Sequence, residues 1–169
     1  MAVLPLVQGA DNPILRKKSE KVKRIDKKIK KLIMDMIDTM IAAEGLGIAA
    51  SQVGINQRVF IVRLNSGTKN ELIVPMINAE IIKMSEKMIE DEEGCLSLPK
   101  KFGTVKRAAS LTLKYQNQHG ETHTLNLHEL NARTIQHEID HLDGILIVDR
   151  LEAELRLESA EKLPCPKQI

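Results

Sequence analysis

Two histidines four residues apart, with a glutamate directly after the first, stand in the stretch QHEIDHLDG, residues 136–144. On a helix that spacing puts the imidazoles of His137 and His141 on one face, one turn apart, where both can hold a single metal ion. Glu138 lies about 100° round the helix, near enough to reach a water activated at that ion without being a ligand itself. Residues of these types do hydrolysis, with the ion as Lewis acid and the carboxylate as proton carrier. The competing reading is a surface helix on which histidines happen to recur, since the chain has five of them.

The third ligand decides the class. The longer HExxHxxGxxH pattern needs a histidine at position 147, where this chain has Ile147, although Gly144 matches. A downstream glutamate would complete a two-histidine, one-glutamate set, and Glu152, Glu154, Glu158 and Glu161 are available. All four sit in a charged stretch better read as a solvated helix face. Cys95, in EEGCLSLP, is the stronger candidate, because a thiolate is a good soft ligand and Gly94 permits close backbone approach. Three protein ligands leave one position open, the mark of a catalytic site. Upstream, GLGIAASQVG (residues 45–54) carries almost no side-chain bulk, as where a ligand or strand meets the backbone. Gln52 at its end carries an amide able to donate to a developing oxyanion.

These residues need elements to hold them. Ile29, Leu32, Ile33, Met36, Ile37, Met40 and Ile41 recur at helical spacing, with Asp26 placed to open that helix and Gly45 to close it in a left-handed cap. RVFIVRL, ELIVPMI and SLTLKYQ read as strands, and NQHGE (117–121) as the turn of a hairpin between SLTLKY and THTLNL. Asn126 is placed to cap a second helix, with Glu129 three residues on, running to about Asp143 and stopped by Gly144. A last helix is expected at about 150–163. Helix, strands, helix is the order of an α+β domain.

The chain's 169 residues suit one domain with a real core, 43% hydrophobic and 28% charged, which argues against disorder. Aromatics at 2% leave few platforms for stacking bases, and no DNA partner is expected. Two cysteines, Cys95 and Cys165, make no disulfide framework, and no apolar run reaches membrane-spanning length. The start lacks the basic region of a signal peptide, so a cytoplasmic monomer is expected. The net charge of +2 hides a basic stretch, with ten Lys or Arg and two acids from Arg16 to Lys31.

In order along the chain, Gly45-Leu-Gly-Ile-Ala-Ala-Ser-Gln52, Glu93-Gly-Cys-Leu-Ser97 and Gln136-His-Glu-Ile-Asp-His-Leu-Asp-Gly144 resemble the three marker segments of the peptide deformylase family. The resemblance runs from about Ile14 to Leu151. It implies a single α+β domain over 1–169, with antiparallel or mixed sheets surrounding a central helix that carries the HExxH motif. It further implies Cys95, His137 and His141 as metal ligands and Glu138 as catalytic acid/base. Gln52 and the Leu96 backbone N–H correspond to donors to the formyl oxygen, and Gly47 to a backbone contact with bound peptide. The implied reaction removes formate from N-formyl-methionyl nascent peptides. The implied cofactor is one divalent ion, Fe(II) natively, with Zn(II), Ni(II) or Co(II) able to substitute. Leu46, Leu130, Thr134 and Arg133 are candidates for the methionine pocket, positions 130, 134, 137 and 141 sharing one helix face. Asp91 and Ile147 depart from a common form of the family, the former at a position that is often apolar and pocket-lining. A zinc endopeptidase and a metal-stabilised binding module are the rival readings, and the Glu93–Ser97 segment counts against both. A nascent-chain enzyme gains from ribosome contact, for which the basic stretch is the candidate surface.

Overall fold

The computed structural model describes residues 2–151. Its elements are α1 (Pro13–Arg16), α2 (Lys27–Ala42), β1 (Gly47–Ala49), a 3-10 turn (Ala50–Val53), β2 (Val59–Leu64), β3 (Leu72–Met84), β4 (Met88–Cys95), β5 (Leu98–Ala108), β6 (Ser110–Gln116), β7 (Thr122–His128), α3 (Glu129–Leu142) and α4 (Ile147–Arg150). Five strands form one antiparallel sheet in the order β1-β2-β3-β6-β7, and β4 and β5 form a separate antiparallel hairpin.

β2 explains the layering. Its alternate residues Phe60, Val62 and Leu64 pack with Ala132, Ile135 and Leu142 of α3. Val59 and Ile61, pointing the other way, pack with Ile33, Met36 and Met40 of α2. The strand is buried on both faces over Val59–Val62, which is why that part reads as an apolar run before Arg63. Each fully buried Ile or Met on α2 is worth about 1.5–3 kcal/mol over an exposed one, and that stripe docks the helix. α3 thus lies between the large sheet and the β4–β5 hairpin, whose Ala108 exchanges both backbone hydrogen bonds with the Gln136 side chain at 3.0 Å. The expected α+β plan, with sheets surrounding a central helix, is what the chain adopts.

The helix ends differ from expectation in two places. Asp26 does cap α2, accepting from Lys28 and Ile29 at 2.9 and 3.0 Å. At the other end the left-handed residue is Glu44 (φ 54), not Gly45. Gly45 N–H closes back on Met40 O at 2.9 Å and Glu44 N–H on Ile41 O at 3.1 Å, the bond pair of a Schellman cap one residue earlier than expected. Asn126 does not cap α3. Pairing of β7 with β6 runs on to Ser110↔His128, and Asn126 accepts from the Thr112 hydroxyl within the sheet at 2.8 Å. Strand pairing outcompetes the cap, and the helix starts at Glu129 behind His128, which makes no side-chain cap. Gly144 ends α3 with φ 76, and a Cβ there would lie 2.3 Å from Arg16 O. The expected strands and hairpin are present, with β3 longer than foreseen. Residues 152–163 of the expected last helix, and Cys165, lie outside the described residues.

Candidate metal centre

Cys95, the last residue of β4, meets His137 and His141 of α3 in the interior. Their ligand atoms all lie within 4.8 Å of one another, and all three residues are buried. Cys95 Sγ is 3.1 Å from His141 Nε2. Gly94 lets the strand turn in here, because a Cβ at that position would strike the Phe102 ring at 2.4 Å. Leu96 and Ser97 make the tight turn to β5.

Behind the trio lies a buried ionic network that no local sequence pattern announces. Glu93, fully buried, accepts both ends of the Arg107 guanidinium at 2.9 Å, Arg133 Nη1 at 2.7 Å, and lies 3.1 Å from His137 Nδ1. Arg107 also reaches Asp140, which in turn holds Arg150 of α4. Burial alone would raise the Glu93 carboxyl, but the hydrogen bonds from Arg107 and then His137 prevail and hold it well below the usual carboxylate range. A carboxylate on Nδ1 fixes the ring and leaves Nε2 as the nitrogen open to an ion.

Glu138 sits beside the trio, fully buried, with neither carboxylate oxygen partnered among the described residues. Burial, with the Glu93 charge adding to it, carries its carboxyl well above the ordinary range. Gly47 of β1 makes room for it: a Cβ there would lie 2.4 Å from Glu138 Oε1. The Gln52 side chain is also buried, with its Nε2 3.6 Å from Cys95 Sγ.

The pocket candidates separate. Leu130 and Arg133 line one cavity of about 240 Å³, together with Ile89, Asp91, Ala108 and Glu129. The Arg133 guanidinium is turned inward, bonding Glu93, Val105 O and Ile89 O, rather than standing at a rim. Leu46 and Thr134 are buried outside those walls, and the Thr134 hydroxyl donates to Leu130 O at 2.9 Å.

The sequence profile described as polypeptide deformylase matches residues 3–156. The chain belongs to that family. The peptide deformylase of Thermotoga maritima is 41% identical over 152 residues, which cover 90% of each chain. That of Pseudothermotoga lettingae is 40% identical, covering 90% of this chain and 85% of the relative. The crystal structure from Thermotoga maritima superposes with a TM-score of 0.83 at 39% identity, covering 90% of this chain and 99% of that one. A class I type b peptide deformylase from Acinetobacter baumannii gives a TM-score of 0.84 at 37% identity, covering 89% of this chain and all of that one.

The family's chemistry depends on a metal, and the residues here fit one. His137 Nε2 is buried without a partner among the described residues, as are both oxygens of Glu138, and His141 turns its Nε2 to Cys95 Sγ. Burial pushes the Cys95 thiol up to about 12, the Glu138 charge adding to it. Burial likewise lowers His141 well below its ordinary value, keeping its imidazole neutral, the form that binds metal. A thiol and a carboxyl both strained by burial make a site that a divalent cation would relieve.

Proposed function

We propose that Cys95, His137 and His141 hold one divalent ion and that Glu138, beside it, carries the protons of deformylation. As a family member the chain is a hydrolase that removes the N-terminal formyl group from nascent peptides, releasing formate. What carries the assignment of roles is the meeting of two buried imidazoles and a thiol next to an unpartnered buried carboxyl.

The ion, when bound, supplies a Lewis acid that lowers the pKa of water and polarises the formyl carbonyl. A Glu138 carboxylate oxygen takes a proton from the attacking water and passes it to the departing amine nitrogen as the carbon–nitrogen bond breaks. The products are formate and a free N-terminal methionine. Negative charge gathers on the formyl oxygen in the transition state, where Gln52 Nε2–H and the Leu96 N–H donate, each worth about 3–4 kcal/mol. The Gly47 backbone, at the edge of the sheet in β1, aligns the peptide. The cavity walled by Leu130 and Arg133 takes the methionine side chain, with Thr134 bonded to Leu130 O behind it, while Leu46 forms none of its walls.

Imidazole and thiolate accept several divalent ions, and Fe(II) is the native ion in this reading, with Zn(II), Ni(II) and Co(II) as substitutes. The test compares protein prepared anaerobically with Fe(II) or Zn(II) on a formyl-Met tripeptide and its unformylated counterpart. Formate release from the former, faster with Fe(II), is expected. Cleavage of an internal peptide bond would instead favour an endopeptidase.

The place of action is the cytoplasm, on a monomer, and the ribosome is the partner of the basic stretch. Lys23, Arg24, Lys27, Lys28 and Lys30 are exposed and make no ion pair among the described residues. Lysines in the first turn of α2 oppose its macrodipole, a local cost of about 0.3–1 kcal/mol each that phosphate contact would offset. Lys31 is held by Asp35 and is left out of the test. Reversing Lys23, Arg24, Lys27 and Lys28 to glutamate should reduce ribosome co-sedimentation at low salt while sparing turnover of a short formyl-peptide. Unchanged co-sedimentation would return the stretch to a solvated face.

A further inference from the structure

The Gln52 amide is locked in one orientation. Its Oε1 accepts from the Ala49 backbone N–H at 2.8 Å, so its NH2 end faces the other way. There Nε2 lies 3.2 Å from the Ser97 hydroxyl and 3.6 Å from Cys95 Sγ. A primary amide has two diverging N–H bonds. With one held by Ser97 Oγ, the other is turned toward the metal ligands, where the formyl oxygen must gain its charge.

Ser97 is itself fixed on every side. It is fully buried. Its carbonyl accepts from Gly9 N–H at 3.0 Å, while Val7 N–H donates to the Gln52 carbonyl at 2.8 Å. The segment from Val7 to Gly9 thus ties the two loops that carry the donors. The Ser97 hydroxyl thus has a defined place from which to hold the NH2 end of an amide whose Oε1 is already tied to the Ala49 N–H.

We propose that Ser97 is a positioning residue for deformylation, its hydroxyl holding the Gln52 amide so that the other N–H, on the Cys95 side, meets the developing oxyanion. This rests on the reading of Gln52 as an oxyanion donor. Because the formyl oxygen is charged only in the transition state, loss of aim lowers kcat and leaves KM unchanged. A donor removed outright costs about 10²–10³-fold in kcat, and one still tied through Oε1 to the Ala49 N–H but no longer held by Ser97 costs less, roughly tenfold.

The experiment uses metal-loaded Ser97→Ala, Gln52→Ala and the double variant on formyl-Met-Ala-Ser, with metal content and Tm recorded for each. Ser97→Ala should lower kcat about tenfold at unchanged KM, metal content and Tm. In the Gln52→Ala background it should have no further effect, since the two act as one unit. An equal loss in both backgrounds, a loss of metal or Tm in place of kcat, or an undiminished kcat would each overturn the positioning role. If Gln52→Ala keeps full kcat, the donor reading of Gln52 has failed instead.

Discussion

Replacing Gly47 by alanine separates two roles that one glycine can have in this site. Its φ is not in the left-handed region, so alanine meets no backbone strain there. The conflict is with a side chain: the new Cβ would lie 2.4, 2.8 and 3.0 Å from Oε1, Cδ and Cγ of Glu138. Ordinary carbon contacts begin near 3.5 Å, so the carboxylate must withdraw by about an ångström. Glu138 is fully buried and has little free volume to move into. A displacement of that size at a proton carrier costs on the order of 10²-fold in rate, about 2.7 kcal/mol of barrier. The backbone N–H and C=O of residue 47 survive the change, so contact with the peptide, and with it KM, should hold. The assay is kcat and KM on a formyl-Met tripeptide with metal content measured on the same sample. A kcat near wild type would refute the reasoning about Glu138. A large rise in KM at constant kcat would show that the glycine serves the peptide alone.

Glu138→Ala should keep near-stoichiometric metal while deformylation falls by at least the ~10²-fold typical of general acid–base catalysis; recovery of apoprotein would make Glu138 structural instead. Cys95→Ser should weaken metal binding by more than the ~10–100-fold that losing an outer partner of a ligand costs, read by competition with a chelator. Asp35, on the inner side of α2, is held below its ordinary 3.8 by the Lys31 hydrogen bond and then by the Ala2 N–H. Its contribution to stability is therefore present above pH 3.8 and lost as the pH falls through its lower folded value. The Tm difference between wild type and Asp35→Asn, measured from pH 7 downward, should close below that point, and a constant difference would contradict the assignment.

The parts of the fold legible in the sequence were those where one physical term dominates. The apolar stripe of α2 and the two-sided burial of β2 leave periodicities that solvent exposure alone imposes. The β4–β5 hairpin went unread for the opposite reason. Glu90, Asp91 and Glu92 are exposed in β4, a run of acids depleted in strands, and pairing with β5 rather than propensity makes the strand. At α3 a long-range pairing again prevailed, carrying Asn126 into the sheet and shifting the helix start to Glu129, at φ 49. Local signals name candidates, and pairing chooses among them.

The site follows the same division. Candidate metal ligands announce themselves by element type and helical spacing, so His137 and His141 stand out with Glu138 beside them, and Cys95 is picked out by its setting. What aims them does not. Arg107 sits in a strand whose sequence resembles any basic edge, yet it joins Glu93 to Asp140 in the interior. Such a network is a costly way to gain stability, since each desolvated ion loses several kcal/mol that its partners only repay with good geometry. An apolar cluster of the same volume would hold α3 against the hairpin as well. It would not set the ring of His137. Here the Glu93 carboxylate on Nδ1 does that, and its burial is compensated by the two arginines that pair with it. Glu93, Arg107 and Arg133 thus fit the role proposed for His137 as a ligand. The chemistry at one nitrogen dictates charges two residues deep, which no reading of spacing alone could have listed in advance.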